Sequence, residues 1–157
     1  MITGNISLEE FKNSAGKELE PSDWLLIDQA RIDCFAEATS DFQFIHVDAE
    51  KAAATPFGTT IAHGFLSLSL LSHLMSQTML IPEGTVMGIN YGSDKVRYLQ
   101  PVKVNSRVRS KATIKEITEN PGGQLLVKIS VAVEIENEKR PALIAEILSL
   151  YIVKEQA

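Results

Sequence analysis

The hydrophobic pattern changes its period once along the chain, close to residue 84. Between residues 63 and 80, apolar residues occupy most of the circumference of a helix, which is typical of a helix buried on nearly all sides. Further along, apolar and polar residues alternate with the period of a strand, and Gly, Pro or Asn residues separate the alternating segments. The pattern therefore predicts one long helix over 63–80, followed by strands over 86–91, 95–99, 104–117, 124–135 and 143–153.

Shorter elements precede the long helix. Residues 1–22 are expected to lie over the edge of the domain, and residues 24–27 form a short strand or an extended lead-in. Asp28 and Asp48 each stand directly before a helical pattern, where an aspartate can accept hydrogen bonds from free backbone N–H groups. Helices followed by several antiparallel strands make an α+β domain. A sheet that curls around the long helix is one arrangement that would bury that helix.

Composition narrows the class of protein. With 157 residues and 45% hydrophobic content, the chain is long enough for one domain, 1–157, with a substantial core. The net charge of -5 disfavours a nucleic-acid surface, which is usually basic. A single cysteine, Cys34, excludes an internal disulfide, and we expect it to pack as a small apolar residue. The chain starts without the basic residues and apolar run of a signal peptide, and serines interrupt its longest apolar stretch. We therefore expect a cytoplasmic protein with no membrane span.

One stretch carries candidate chemistry. Asp41 and His46 lie five positions apart in a segment too irregular to be one helix, and Gly64 opens the long helix. An acid and an imidazole can divide proton transfer between them, and backbone N–H groups at a helix start can hold developing negative charge. These are the parts of an acid–base enzyme that acts beside a carbonyl. On the residues alone, a second interpretation stays open, in which Asp41 caps a turn and His46 binds a carbonyl.

The surrounding residues resemble those of the MaoC-like hydratases, and within them the (R)-specific enoyl-CoA hydratases that feed polyhydroxyalkanoate synthesis. The similarity runs from about Trp24 to Val153 and is carried by residues 38–48, 52–53, 56–58, 61–66, 90–92, 95–97 and 100–102. It implies a hot-dog fold, in which a curved antiparallel β-sheet wraps a long buried central helix. It also implies a homodimer that adds water in syn fashion to a trans-2-enoyl thioester, with acyl-CoA as its substrate and with no cofactor and no metal.

The resemblance assigns roles residue by residue. Asp41 and His46 would hold and activate the water, with the acid and base roles exchangeable between them. The Gly64 N–H would bond the thioester oxygen. Ser72 matches a supporting serine of some relatives by its spacing, with Ser69 the next choice, and His63 would cap or orient the helix start.

Other assignments have competing interpretations. The positions that would meet coenzyme A include Asn90, Tyr91, Lys95 and Arg97, and Arg107 and Arg109 are further candidates, yet charges that alternate along strands are usually a solvated face. A metal site from Asp41, His46, Asp48 and His63 is chemically possible, although the resemblance implies none.

Two alternative functions share the predicted fold. One is an acyl-CoA thioesterase, and the other is an acyl-CoA or acyl-carrier binding module without turnover. The paired acid and imidazole favour hydration over both. The sequence selects neither the acyl chain length nor coenzyme A over a carrier-protein thioester.

Overall fold

The computed structural model describes residues 5–154. Residues 1–4, which belong to the predicted N-terminal segment, lie outside the described residues. In chain order the elements are β1 (Asn5–Ile6), α1 (Leu8–Lys12), β2 (Leu25–Ile27), α2 (Gln29–Thr39), α3 (Phe44–Val47), α4 (Ala49–Ala53), α5 (Gly64–Ser69), α6 (Leu71–Met75), β3 (Ile81–Pro82), β4 (Thr85–Tyr98), β5 (Ser106–Asn120), β6 (Gln124–Ile135) and β7 (Leu143–Val153).

Five strands form one antiparallel sheet in the order β2-β5-β6-β7-β4, and β1 pairs with β3 in parallel. The sheet curls into a half-barrel, and the helices α5 and α6 pack on its inner face. Strand β7 lies between β6 and β4, and apolar residues occupy both of its faces, as is usual in a central strand. The predicted α+β class, with a curved sheet packed against a helical segment, is therefore confirmed.

The helical segment differs from the long helix that the pattern predicts. It consists of α5 and α6, joined at Leu70, where the Leu70 N–H donates to Leu66 O at 3.0 Å and Leu70 O accepts from Leu74 N at 2.9 Å. One face packs into the core, whereas the opposite face is open, and the Phe65 side chain is 68% exposed. The expectation of burial on nearly all sides therefore fails for the single chain. The pattern could not distinguish a buried face from an apolar face that lies open.

Strand predictions hold where one face is buried. Strands β6 and β7 have the predicted bounds, because alternate residues along β6 point into the core. The two strands predicted over 86–91 and 95–99 are one strand, β4. Its pairing with β7 shifts register between Asn90 and Gly92 and between Ser93 and Lys95, which is where the pattern breaks.

The two aspartates predicted to cap helices do so, whereas the expectation for Cys34 fails. Asp28 accepts a hydrogen bond from Arg31 N at 2.9 Å, and Asp48 accepts one from Lys51 N at 3.0 Å, as expected of N-caps. Cys34 is exposed, so the expectation that it packs as an apolar residue is wrong. Within the residues described, no helix is long and apolar enough to cross a membrane.

Candidate active site

His46 is held on the short helix α3 by a backbone contact. Its imidazole is buried, with 6% exposure, and Nδ1 lies 2.7 Å from Ile61 O. Because a carbonyl oxygen only accepts, Nδ1 carries the proton of the neutral ring. Nε2 is then left with a free lone pair, so this nitrogen can accept a proton from a bound water.

Asp41 lies in the loop between α2 and α3 and is exposed. Its N–H donates to Ala36 O at 3.1 Å, and its Oδ1 accepts from Gln43 N at 3.3 Å, which is the contact of an Asx turn. A carboxylate oxygen of Asp41 and ring nitrogens of His46 and His63 all lie within 4.8 Å of one another. The structure therefore brings the acid and the imidazole close enough to share one water.

His63 completes this cluster from the start of α5. Its ring stacks on the His46 ring, with centroids 3.8 Å apart and planes 25° apart, and its Nε2 donates to Asp41 O at 3.0 Å. Its Nδ1 is buried and has no hydrogen-bond partner among residues 5–154. His63 stands at the N-cap position of α5, although its side chain makes no capping hydrogen bond to the helix. The contacts of His63 join the Asp41 backbone to the His46 ring.

The environment of His46 lowers the pKa of its imidazole below the usual 6.5. Burial is the main cause, because it disfavours the charged ring, and the neighbouring His63 acts in the same direction. The hydrogen bond to Ile61 O and the Asp41 carboxylate raise the pKa in part. The ring is therefore neutral at pH 7 and available as a base.

Gly64 begins α5 beside an aromatic ring. A Cβ at this position would lie 3.1 to 3.3 Å from the Tyr98 ring, which is tighter than ordinary packing, and that ring also meets the Phe65 ring edge-on at 6.3 Å. The first N–H groups of a helix have no partner within the helix. Among residues 5–154 the Gly64 N–H has no hydrogen-bond partner, and it lies where a side chain would crowd Tyr98.

Behind His46 lies a network for which the sequence pattern offers no signal. The Gln29 side chain donates through Nε2 to His46 O at 2.7 Å and accepts at Oε1 from the Thr60 hydroxyl at 2.6 Å. Thr60 is 1% exposed. The residues are 17 and 31 positions from Gln29 in the chain, so only the folded structure brings them together.

Comparison with known proteins agrees with this geometry. Residues 10–137 match the protein family described as MaoC like domain. The chain belongs to the MaoC-like dehydratase family.

Relatives of this MaoC-like chain carry informative names. Nodulation protein N of Rhizobium leguminosarum bv. viciae is 47% identical over 146 residues, which cover 92% of this chain and 91% of that protein. The 3-hydroxyacyl-thioester dehydratase Z of Mycobacterium tuberculosis is 43% identical over 146 residues, covering 93% and 96%. The solved (R)-hydratase from A. caviae, described as involved in PHA biosynthesis, superposes with a TM-score of 0.70 at 24% identity, covering 86% of this chain and 94% of that one. The hot-dog fold is confirmed, and the names support a hydro-lyase activity in general.

The predicted supporting serines of the MaoC-like chain contact other groups. Ser72 Oγ accepts from Asn90 Nδ2 at 3.2 Å, and Ser69 Oγ donates back to Phe65 O at 2.7 Å. Both serines line a cavity of about 560 Å³ whose lining residues include neither Asp41 nor His46. Within one chain, Ser72 thus contacts Asn90, and Ser69 contacts the backbone of its own helix.

The basic residues proposed for coenzyme A contact neighbours on the sheet. Lys95 Nζ lies 3.5 Å from Glu146 Oε1, and Arg97 Nη1 donates to Val96 O at 2.8 Å. Arg109 pairs with Glu134 at 2.7 Å and lies over the Trp24 ring, and Arg107 pairs with Glu136 at 3.5 Å. Tyr91 is 62% exposed. Their roles toward coenzyme A stay predictions.

The cluster of Asp41, His46 and His63 contains residue types that a divalent metal uses. However, the two stacked rings direct their in-plane lone pairs along nearly parallel planes, and each ring already uses one nitrogen on a backbone carbonyl. Asp48 is engaged elsewhere, since it caps α4 and pairs with Lys51 at 2.8 Å. The arrangement fits proton transfer better than chelation.

Proposed function

We propose that this MaoC-like protein is an (R)-specific enoyl-CoA hydratase, which adds water to trans-2-enoyl-CoA and forms (R)-3-hydroxyacyl-CoA. The observation that carries the proposal is the pairing of a neutral His46, whose Nε2 is free, with the Asp41 carboxylate within 4.8 Å. Such a pair can hold one water and exchange protons with it. The product class would supply polyhydroxyalkanoate or fatty-acid metabolism.

In the proposed reaction, Asp41 and His46 lie on the same face of the enoyl chain. His46 Nε2 accepts a proton from the water as the water oxygen bonds to C3. The same proton passes from His46 to the Asp41 carboxylate, and Asp41 delivers it to C2, which restores the neutral imidazole and the carboxylate. The acid and base roles can also be exchanged. Because both groups act from one side, the hydroxyl and the proton are added in syn fashion.

Two further residues support this chemistry. The Gly64 N–H would bond the thioester oxygen and stabilise enolate character, which commonly contributes about 3 kcal/mol in other enzymes. His63 would act as a positioning residue, since it ties the Asp41 backbone to the stacked His46 ring.

We also propose a homodimer. Strand β4 lies at the edge of the sheet, and its side chains Val86, Met87 and Ile89 are between 42% and 53% exposed. An exposed apolar edge strand exposes unpaired backbone groups to any partner, and pairing with a second copy covers them.

The test is hydration of crotonyl-CoA in deuterated water, followed by chiral analysis of the released acid. We expect syn addition and the (R)-alcohol. Anti addition or an (S)-product would refute the geometry. Release of free thiol would identify a thioesterase, and binding without turnover would identify a carrier module.

A further inference from the structure

The cavity of about 560 Å³ lies between the helices α5 and α6 on one side and the strands β4 and β7 on the other. Its lining combines leucine, isoleucine and methionine side chains with several hydroxyl groups. A tunnel for a plain alkyl chain needs only the apolar groups. The hydroxyl groups of Ser69, Ser72 and Ser76 form hydrogen bonds within the chain. The hydroxyl groups on β7, those of Ser149 and Tyr151, therefore require a separate explanation.

The cavity exists because β4 carries glycines where other strands carry core side chains. Gly88 pairs with Tyr151 of β7, and a Cβ at Gly88 would lie 3.3 Å from the Tyr151 ring. The glycine thus leaves room for the phenol at this wall. Asn90, the next residue of β4 on the same face, pairs with Ser149.

Tyr151 lines the cavity and carries a hydroxyl group that has no hydrogen-bond partner among the described residues. The side chain is 6% exposed, its ring meets the Phe11 ring edge-on at 5.7 Å, and its hydroxyl makes no hydrogen bond within residues 5–154. Burial raises the pKa of this phenol to about 12, so it is a protonated donor at any physiological pH. Ser149 lies two positions earlier on the same face of β7, and its hydroxyl group also makes no hydrogen bond among the described residues.

Helix α5 begins at Gly64, the proposed thioester site, and ends at Ser69, which lines the cavity. At the rise of an α-helix, Ser69 lies about 7.5 Å along the axis from Gly64. The chain beyond the reacting carbons would therefore run along α5 and α6 towards Tyr151.

We propose that this cavity binds the distal part of the acyl group and selects chains that carry a hydroxyl or keto oxygen there. An alkyl chain leaves the Tyr151 and Ser149 hydroxyl groups unpaired, whereas an oxygenated chain satisfies them. Sites that offer a buried hydrogen-bonding group discriminate strongly against analogues that lack its partner. The inference rests on the proposed hydratase function, because it names the substrate class of that site.

The test compares kcat/KM for trans-2-octenoyl-CoA with kcat/KM for counterparts that carry a hydroxyl group at C8 or a keto group at C7. In the unmodified protein we expect kcat/KM for the better oxygenated substrate to exceed kcat/KM for octenoyl-CoA, with a ratio of about tenfold or more. Tyr151→Phe keeps the ring and its Phe11 contact but removes the hydroxyl, so the ratio should fall close to one. Ser149→Ala should lower it in the same direction.

Controls separate this inference from the proposed function. Ser130→Ala removes a hydroxyl from β6, outside the cavity lining, and should leave the ratio unchanged. Ser130→Ala should also hydrate crotonyl-CoA as the unmodified protein does, which checks the catalytic groups separately from the cavity. Circular dichroism melting checks that the variants fold. If Tyr151→Phe does not fold, the ratio measured with Ser149→Ala tests the inference.

Several results would overturn the inference. These are equal or better turnover of plain octenoyl-CoA, an unchanged ratio in Tyr151→Phe, or turnover of crotonyl-CoA with none of the longer substrates. If crotonyl-CoA itself is not hydrated, the proposed function is wrong. Calorimetric binding of octanoyl-CoA and its 8-hydroxy counterpart would then still decide the preference of the cavity.

Discussion

Replacing Asp41 by asparagine tests the acid–base pair most directly, because the change keeps the size of the side chain and removes its charge. If His46 accepts a proton in the transition state, the carboxylate within 4.8 Å stabilises the resulting imidazolium. At an effective dielectric constant of about 20, two unit charges at that distance attract by about 3 kcal/mol. Each 1.36 kcal/mol changes a rate by about tenfold, so Asp41→Asn should lower kcat/KM for crotonyl-CoA by about 100-fold or more.

The same variant should also shift the pH profile. The Asp41 carboxylate raises the pKa of His46, although burial holds that pKa below 6.5 overall. Without the carboxylate, the pKa of His46 should fall further. The acid limb of kcat/KM, which reports deprotonation of the base in the free enzyme, should therefore move to lower pH in Asp41→Asn.

The assay follows the loss of the conjugated enoyl absorbance between pH 5 and 8. Asp23→Asn makes the same chemical change at an exposed position before β2 and serves as the control. The double variant Asp41→Asn, His46→Gln should lose less than the product of the two single losses, since both groups act on one water. Near-normal turnover in Asp41→Asn, or a shift of the acid limb to higher pH, would refute the reasoning.

Three further predictions concern stability and assembly. Because the pKa of His46 is lower in the folded state than the usual 6.5, the unfolded state binds more protons below that pH. The free energy of unfolding should thus fall as the pH drops from 7.5 to 5.5. In urea titrations, His46→Gln should lose the part of this pH dependence that comes from the imidazole. An identical pH dependence in both proteins would contradict the prediction. Gln29→Leu should lower the free energy of unfolding by about 2 to 3 kcal/mol, because it leaves the buried Thr60 hydroxyl unpaired, and an unchanged urea midpoint would argue against the network. Light scattering should show a dimer, and a stable, active monomer at micromolar concentration would count against the β4 interface.

Much of the fold is readable from the sequence because the responsible interactions are short-range or periodic. The bounds of β6 and β7 follow from alternation, since one face of β6 is buried and every second residue reports it. The caps Asp28 and Asp48 each bond an N–H three residues ahead, so the signal lies within one turn. The Asp41 and His46 spacing, with the match to MaoC-like residues around it, was enough to nominate the candidate pair.

Other features depend on contacts that no local pattern contains. His46 and His63 stack although 17 positions separate them, and Gln29 meets Thr60 across 31 positions. The resemblance suggested a supporting role for Ser72 from its spacing, whereas the folded chain places its hydroxyl against Asn90 of β4. Periodicity records only that a side chain is apolar or polar. Which groups meet across the sheet and helices is decided by how the sheet curls and where β4 leaves a cavity, so the partners of His46, His63 and Ser72 were set by the tertiary structure alone.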